Sequence, residues 1–428
     1  MANLSGRTEL QAHYDVVVVG AGLVGSTAAL GLEKLGLSIL LLDRAEICSG
    51  KATKVHSDVQ RFDERSTAIS HGSVEILSAL DIWNAQNLHA CPIHHVHVSE
   101  QGRLGTTRLG AQELGFDALG YVVPNTTFGR CLESKLLASE IDLLSGTQLI
   151  AANYQTLDQQ AGFQLIVGSA ERASPDNDAT IDCKLLLAVD GAQSETCKLL
   201  GIDAHVKDYG QRGIVANVQT QLANQGCAFE RFSKLGPLAM LPLKEHISAL
   251  VWSVSIAQFE ELNSLDDKAF CQQLEESFGD RLGAVEGCSE RISFPLKLSL
   301  RNELYRNSFA VLGNAAHSLH PVAGQGFNLA LRGVAVLLDS LKNAQHEQGH
   351  IGDTRYLSCL DAVHGPDQKR IVGLSDYLID IFAEQSVVPP RMRQLGLVSL
   401  NAIPALKKEF AKQTMGLAGK KFSLGANQ

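Results

Sequence analysis

The 428-residue chain has no apolar run approaching the ~18–20 residues that cross a bilayer as a helix, so an integral helical anchor is excluded. It lacks CxxC pairs: nine cysteines are scattered singly, the pattern of reduced, mostly buried thiols rather than of a zinc site or a disulfide framework. Positive charge is in short supply. With 37 Lys and Arg against 46 Asp and Glu the net charge is −9, a surface that repels a phosphate backbone and excludes nucleic acid as a partner. GxSxG is absent, and with it the signature of a serine nucleophile. The stretch Met1 to Asp15 carries no apolar segment of the signal-peptide kind, so the cytoplasm is the expected location. What remains is 45% hydrophobic and 19% charged, enough apolar material for a full core and too much for disorder, over a length that suggests two or three domains.

The strongest local pattern lies at the front. Asp15-Val16-Val17-Val18-Val19 reads as a buried parallel strand and runs directly into Gly20-Ala21-Gly22-Leu23-Val24-Gly25. A helix with Ala29, Leu32 and Leu35 on one face follows, then a second apolar strand, Ser38 to Leu42, that ends in Asp43. Gly20 makes the tight turn, Gly22 lets a pyrophosphate approach the backbone, and Gly25 lets helix and strand pack closely. The helix start offers unpaired amides and a positive dipole to the phosphates, and Asp43, 23 residues after Gly20, is placed for a ribose. This unit predicts a bound dinucleotide, either FAD or NAD.

Downstream segments decide between them. Leu185 to Val189 reads as a strand ending in Asp190-Gly191. Ser308 to Leu312 leads into Gly313-Asn314-Ala315-Ala316-His317 and His320-Pro321-Val322-Ala323-Gly324-Gln325-Gly326-Phe327-Asn328, before a helix marked by Leu331, Val334, Leu338 and Leu341. Here a strand delivers Asn314, and a glycine-flexible turn offers a second helix start. A nicotinamide dehydrogenase has no evident need of this second site. A flavin does, for its ribitol hydroxyls and for the ring edge where charge develops on reduction.

These three motifs, in this order, resemble the FAD-dependent aromatic hydroxylases of the p-hydroxybenzoate hydroxylase fold, in particular the ubiquinone-biosynthesis branch. The similarity runs from about Tyr14 to Gly419. Val96 to Ser99, Ala228 to Phe232, Gly236 to Pro242 and Gly313 to Ala316 are similar to the hydroxylases of that branch that act at C4 of 2-polyprenyl-6-methoxyphenol. The resemblance implies an α/β protein in which a Rossmann-like FAD-binding domain (1–85, 115–195 and 300–350) is interleaved with a β-sheet substrate domain (86–114 and 196–299), followed by a helical C-terminal region (351–428). It also implies the chemistry. NAD(P)H binds transiently and reduces the FAD, O2 adds to give a C4a-hydroperoxyflavin, and one oxygen passes to an electron-rich phenol. A dry pocket then matters more than a catalytic triad. A sister hydroxylase acting at another ring carbon, a flavin-dependent reductase without oxygen insertion, and a scaffold that holds flavin only structurally are the competing readings.

The same resemblance assigns Gly20, Gly22, Gly25, Asp43, Asp190, Gly191, Asn314, Gly324, Gln325, Gly326 and Asn328 to the cofactor. It places Arg65 near the flavin ring, Arg130, read as opening a helix after Tyr121-Val122-Val123, near the pyrophosphate, and Arg44 at the adenosine end. For each arginine an ordinary solvated position is the alternative. The family commonly has Asp where Asn314 stands and Arg where Cys197 stands. His317 and His320 flank the flavin turn, suited to assisting a phenol proton or to packing beside Pro321. Cys91, His94, His95 and His97 crowd one segment without completing a metal-ligand set, so no metal is expected. Strands near Ile214–Gln219, Ala249–Ser253 and 291–297 form a sheet covering the flavin, with Gly236–Pro242 as a loop near the substrate.

The tail is basic. From Arg391 onward it holds seven Lys or Arg and one acid, Glu409, interleaved with Leu395, Leu397, Val398, Leu400, Ile403, Leu406 and Phe410. Such a stretch suits an anionic membrane surface, with the protein peripheral at the inner membrane, or an acidic partner in a ubiquinone-biosynthesis complex. A solvated helix face with ordinary core contacts is the alternative.

Overall fold

A computed structural model of the protein describes residues 10–45, 65–103, 105–157, 160–170, 178–321, 324–382 and 389–417. The motif pieces Asp63-Glu64 and Val322-Ala323, and the tail beyond Leu417 with Lys420 and Lys421, lie outside the described residues.

The valine run forms the strand His13–Val19, with Val16, Val17 and Val18 fully buried. It lies inside an eight-stranded sheet between Ala179–Ala188 and Ile39–Leu42, with Phe309–Val311 beyond the first and Asp142–Leu144 beyond the second. All four of these pairings are parallel. Strands buried on both faces need continuous apolar sequence, which is what Val16–Val19, Leu40–Leu42 and Leu185–Leu187 supply. Parallel register also places the ends. Val19 pairs with Leu42 and with Ala188, and Ala188 pairs with Val311. The segments that leave these strands, bearing Gly20, Asp43, Asp190 and Gly313, therefore emerge along one edge, the carboxyl edge where open α/β sheets take their ligands. Helices Leu23–Glu33 and Gln325–His346 pack on this core.

A second sheet of nine strands crosses the chain repeatedly. It runs His317–Ser318, Ile292–Arg301, Ala204–Thr220, Ile247–Ser255, Gly236–Lys244, Cys227–Ser233, His95–Glu100 and Thr106–Gly110, with Val285–Cys288 beside Ala204–Thr220. Gly236–Pro242 is thus a strand and not a loop. It alternates Leu238 and Met240, both fully buried in the core behind the sheet, with Ala239 and Leu241 on the other face. A small three-stranded sheet, Ser66–Ser70, Gly120–Pro124 and Cys91–Ile93, links the two large ones.

The C-terminal region is helical: Thr354–Leu357, Gly365–Phe382, Pro390–Ala402 and Pro404–Thr414. The helix Pro390–Ala402 is pinned to the second sheet. Arg393 forms a buried ion pair with Glu100 at 2.9 Å, and Thr107 Oγ1 donates to the Leu397 carbonyl at 2.7 Å. Arg108 N–H donates to Asn401 Oδ1 at 3.2 Å.

Candidate active site

The glycine turn after the first strand is built as its spacing requires. Gly20 has φ +106°, and a Cβ there would lie 2.6 Å from the Val189 carbonyl oxygen. At Gly25 a Cβ would fall 1.8 Å from the Gly20 carbonyl oxygen, so helix and strand meet with no room for a side chain. Gly22 is the opposite case: a Cβ there meets nothing within 4 Å. As N-cap of the helix Leu23–Glu33, Gly22 provides no side-chain cap, which leaves the first-turn amides available to an anion. The second turn has the same character. Gly324, with φ +58°, caps the helix Gln325–His346 without a side chain, and Gly326 also faces open space.

Both turns line one cavity of about 1090 Å³. Its wall includes Gly20, Gly22, Asp43, Arg44, Arg65, Asp190, Gly191, Asn314, Gly324, Gln325, Gly326 and Asn328. Segments just over 300 residues apart in sequence therefore share one space. That volume lies just above the range of ordinary ligand sites, roughly 300 to 1,000 Å³.

Asp43 Oδ2 accepts from Ala21 N–H at 2.6 Å and Oδ1 from Ala45 N–H at 2.8 Å, so the carboxylate braces the glycine turn and keeps acceptor capacity on each oxygen. Asp190 Oδ2 accepts from the Thr196 amide and hydroxyl, both at 3.0 Å, while its buried Oδ1 has no partner among the described residues. A buried carboxylate oxygen left unpaired beside a cavity is an acceptor prepared for a ligand hydroxyl. Asn314 is exposed to the cavity. Asn328, on the same wall, also braces the protein. Its Oδ1 accepts from Ser70 N–H, and its Nδ2 donates to the Ala68 and Gly324 carbonyls, all at 2.8 Å. The Asn328 amide thus clamps the turn to the strand Ser66–Ser70. Open amides at two helix starts, acceptors at Asp43 and Asp190, and a polar Asn314 between them fit the phosphates, ribose and ribitol of FAD.

Arg65 lines the cavity, its guanidinium 5.3 Å from the centre of the Phe294 ring. Arg44 is exposed on the wall. Arg130 is exposed and off the wall. The helix is Asn125–Leu137, so Arg130 lies inside it; Asn125, at its start, is the residue that reaches the cavity. Pro124 explains the earlier start, since its fixed φ suits a helix entry.

Of the two roles open to the histidines, their places in the structure are those of packed core residues. His317 is completely buried, 5.6 Å ring to ring from His364; burial, then His364 and Arg332, push its pKa down to about 3. His320 is 2% exposed, packs edge-on against Tyr209 and lies 3.2 Å from Gln211 Oε1; burial lowers its pKa to about 4. Neither is on the cavity wall. Cys197 is fully buried, its thiol pushed up by burial. Lys198 beside it pairs with Glu195 at 2.8 Å. His94, His95 and His97 separate: His97 is buried against Phe229, whereas His94 and His95 are exposed.

The other wall of the cavity is the second sheet, with Val96, Val98, Ala228, Ala239, Leu241 and Val251, closed off by Leu378, Phe382, Leu400, Phe410 and Met415 of the C-terminal region. Phe232 stacks on Phe382 at 3.7 Å between ring centres, joining sheet and helix. One ionisable residue that no sequence motif marks stands on this apolar face, Glu230, whose carboxyl is pushed up by burial to about 8. Alternation in Ala228-Phe229-Glu230-Arg231-Phe232 requires one of the two adjacent charges to face inward, but does not say which.

This frame, two glycine-capped helix starts on a doubly wound sheet and an apolar second sheet across one cavity, is that of a flavin-dependent hydroxylase. The FAD binding domain family matches residues 13–356, and the chain belongs to it. It is a member of the FAD-dependent aromatic hydroxylases, in their ubiquinone-biosynthesis branch. The chain is 30% identical over 406 residues to the ubiquinone hydroxylase UbiL of Rhodospirillum rubrum, covering 94% of this chain and 89% of that protein. It is 29% identical to the 3-demethoxyubiquinol 3-hydroxylase of Escherichia coli, covering 94% and 98%. Among solved structures, p-nitrophenol 4-monooxygenase PnpA from Pseudomonas putida superposes with a TM-score of 0.74 at 14% identity, over 96% of this chain and all of that one, a likeness of fold.

Proposed function

We propose that the chain hydroxylates the phenol ring of a polyprenylated ubiquinone precursor, at C4 of 2-polyprenyl-6-methoxyphenol, with FAD held between the two glycine turns and NAD(P)H as a transient reductant. The observation that carries this reading is the single cavity that joins both turns to an apolar sheet face. When bound, FAD supplies oxygen activation; the chain's own part is to hold the ring, exclude water and manage the phenol proton. The carbon follows from ring chemistry. A phenol activates its ortho and para positions, and in this substrate both ortho carbons are substituted, leaving C4. A sister position on the same ring is the second reading, supported by the names of the relatives. Turnover of short-tail 2-prenyl-6-methoxyphenol and a 3-demethoxyubiquinol analogue under 18O2 separates them. The proposal expects one 18O atom at C4 of the first; label only in the second would move the carbon, and product without label would make the protein a reductase.

The C-terminal helices support delivery from a membrane surface. No helix among the described residues is long and apolar enough to cross a bilayer. Yet Met392, Leu395, Val398, Ile403 and Leu406 are 45–65% exposed beside the basic Arg391, Lys408 and Lys412, while Leu397, Leu400 and Phe410 of the same helices line the cavity. An interfacial face backing onto the substrate cavity suits a lipid-soluble tail.

A further inference from the structure

Glu230 sits on the strand Cys227–Ser233, flanked by Val98 on one neighbouring strand and Ala239 on the other. Both neighbours face the cavity with it. Among the described residues its carboxylate makes no hydrogen bond or ion pair with the protein, although Arg231 follows it directly. Arg231 points to the far side of the sheet, where its Nε donates to the Ser277 carbonyl and an Nη to Ser99. His97 lies on that far side too, against Phe229, with Arg108 and Arg281 near it. From the strands Cys227–Ser233, Gly236–Lys244, Ile247–Ser255 and His95–Glu100, Glu230 is the sole ionisable side chain on the cavity wall. The other charged groups of the wall are Arg65, Glu290 and Lys297, and Asp43, Arg44, Asp190 and Glu195 at the dinucleotide end. None of them perturbs its titration: burial alone raises its pKa.

An unpaired acid in an apolar wall is costly to the fold and has no partner to justify it structurally. A partly buried carboxyl in an apolar wall, open to the cavity and with its pKa raised by desolvation, is suited to proton transfer. We propose that Glu230 is the base that takes the proton from the phenol hydroxyl of the bound substrate. The phenol O–H bond breaks, the proton joins a Glu230 carboxylate oxygen, and the electron pair stays on the phenol oxygen. That pair is delocalised to the para carbon, the position that would take the electrophilic oxygen atom that bound FAD would supply from O2 and NAD(P)H. As the new C–O bond forms, the para C–H bond breaks and its proton goes to water; the proton held on Glu230 returns to the ring oxygen, so a neutral hydroquinone leaves and the carboxylate is regenerated. This assignment rests on the reading of the protein as a phenol-ring hydroxylase.

The test uses FAD-loaded protein, wild type and Glu230→Gln, with short-tail 2-prenyl-6-methoxyphenol as probe. Two readouts are followed from pH 6 to 9: the ultraviolet difference band of bound phenolate, and kcat/KM for 18O-labelled product. In wild type both should rise with pH, with a midpoint near 8. In Glu230→Gln the phenolate band should vanish below the free phenol's own pKa. Product should fall on the order of 10²–10⁴-fold with the pH-dependent limb lost, and the NAD(P)H consumed should yield hydrogen peroxide. Equal FAD content and melting temperature in the two proteins exclude a merely structural effect; should the variant misfold, Glu230→Asp, which keeps the carboxyl, must restore the phenolate band in part. Matching pH profiles in wild type and Glu230→Gln would overturn the assignment. A wild type that binds phenolate but makes no labelled product would instead overturn the hydroxylase reading and leave the proton acceptor in place.

Discussion

Asn328 and the buried histidines show how far a residue type can be read without its surroundings. A polar side chain after a glycine turn has the same sequence signature whether or not it also clamps the turn, and Asn328, on the cavity wall, does clamp it. Asn328→Ala leaves the Ser70 amide and the Ala68 and Gly324 carbonyls without that partner, so it should destabilise the protein by on the order of 2–4 kcal/mol in urea denaturation. A change below ~1 kcal/mol would mean that the clamp is not made in solution. The histidines are more opaque still, because a neutral imidazole passes as a core side chain and nothing in the spacing of His317, His320 or His364 announces it. Burial lowers their pKa values to about 3, 4 and 4, and that of His97 to about 4. The folded state keeps them neutral, while the unfolded chain binds protons at the ordinary value of 6.5. Their contribution to stability is therefore complete above pH 6.5 and is lost as pH falls toward 4. The urea midpoint should drop steadily between pH 7 and 4.5; a flat profile would contradict the burial of neutral imidazoles.

Elements are more legible than residues where backbone geometry leaves few choices. The valine strand, glycine turn and following helix can be read because a Cβ at Gly25 would overlap the Gly20 carbonyl, a constraint that belongs to the chain itself. Gly25→Val should accordingly unfold the first helix from its strand, with loss of soluble protein or a large fall in melting temperature. The start of the helix carrying Arg130 is harder to place, because the apolar Tyr121-Val122-Val123 strand continues to Pro124 and only tertiary structure shows where it ends. Gly236–Pro242 reads as a loop because Gly and Pro open it, while the alternation behind them makes it a strand. For the last two helices, the heptad-like apolar pattern does not say which residues turn outward. Leu395→Asp on the exposed face should weaken sedimentation with phosphatidylglycerol vesicles severalfold and leave FAD binding intact. Equal sedimentation of variant and wild type would remove the membrane face from the account.

At the scale of the whole molecule, the two large sheets are woven from alternating lengths of one chain. The strands His95–Glu100 and Thr106–Gly110 and those from Ala204 to Arg301 join one sheet, while the first strand, Ala179–Ala188 and Phe309–Val311 join the other. Sequence motifs mark the contributions to the carboxyl edge of the first sheet because phosphate and ribose recognition constrains glycine and acid positions closely. The second sheet carries no such code. Its inward residues are ordinary Val, Ala and Leu, which is why Glu230 does not stand out in the sequence although it lies on the same wall. What unites both halves is the claim that one FAD molecule spans both glycine turns. Gly22 and Gly326 test it together, since a Cβ at either meets no protein atom within 4 Å and neither substitution should disturb the fold. Gly22→Val and Gly326→Val are to be purified beside wild type and their flavin measured after denaturation. The account predicts a yellow wild type with stoichiometric FAD and two folded variants that have each lost most of it; full retention of FAD by either variant would contradict a shared cofactor.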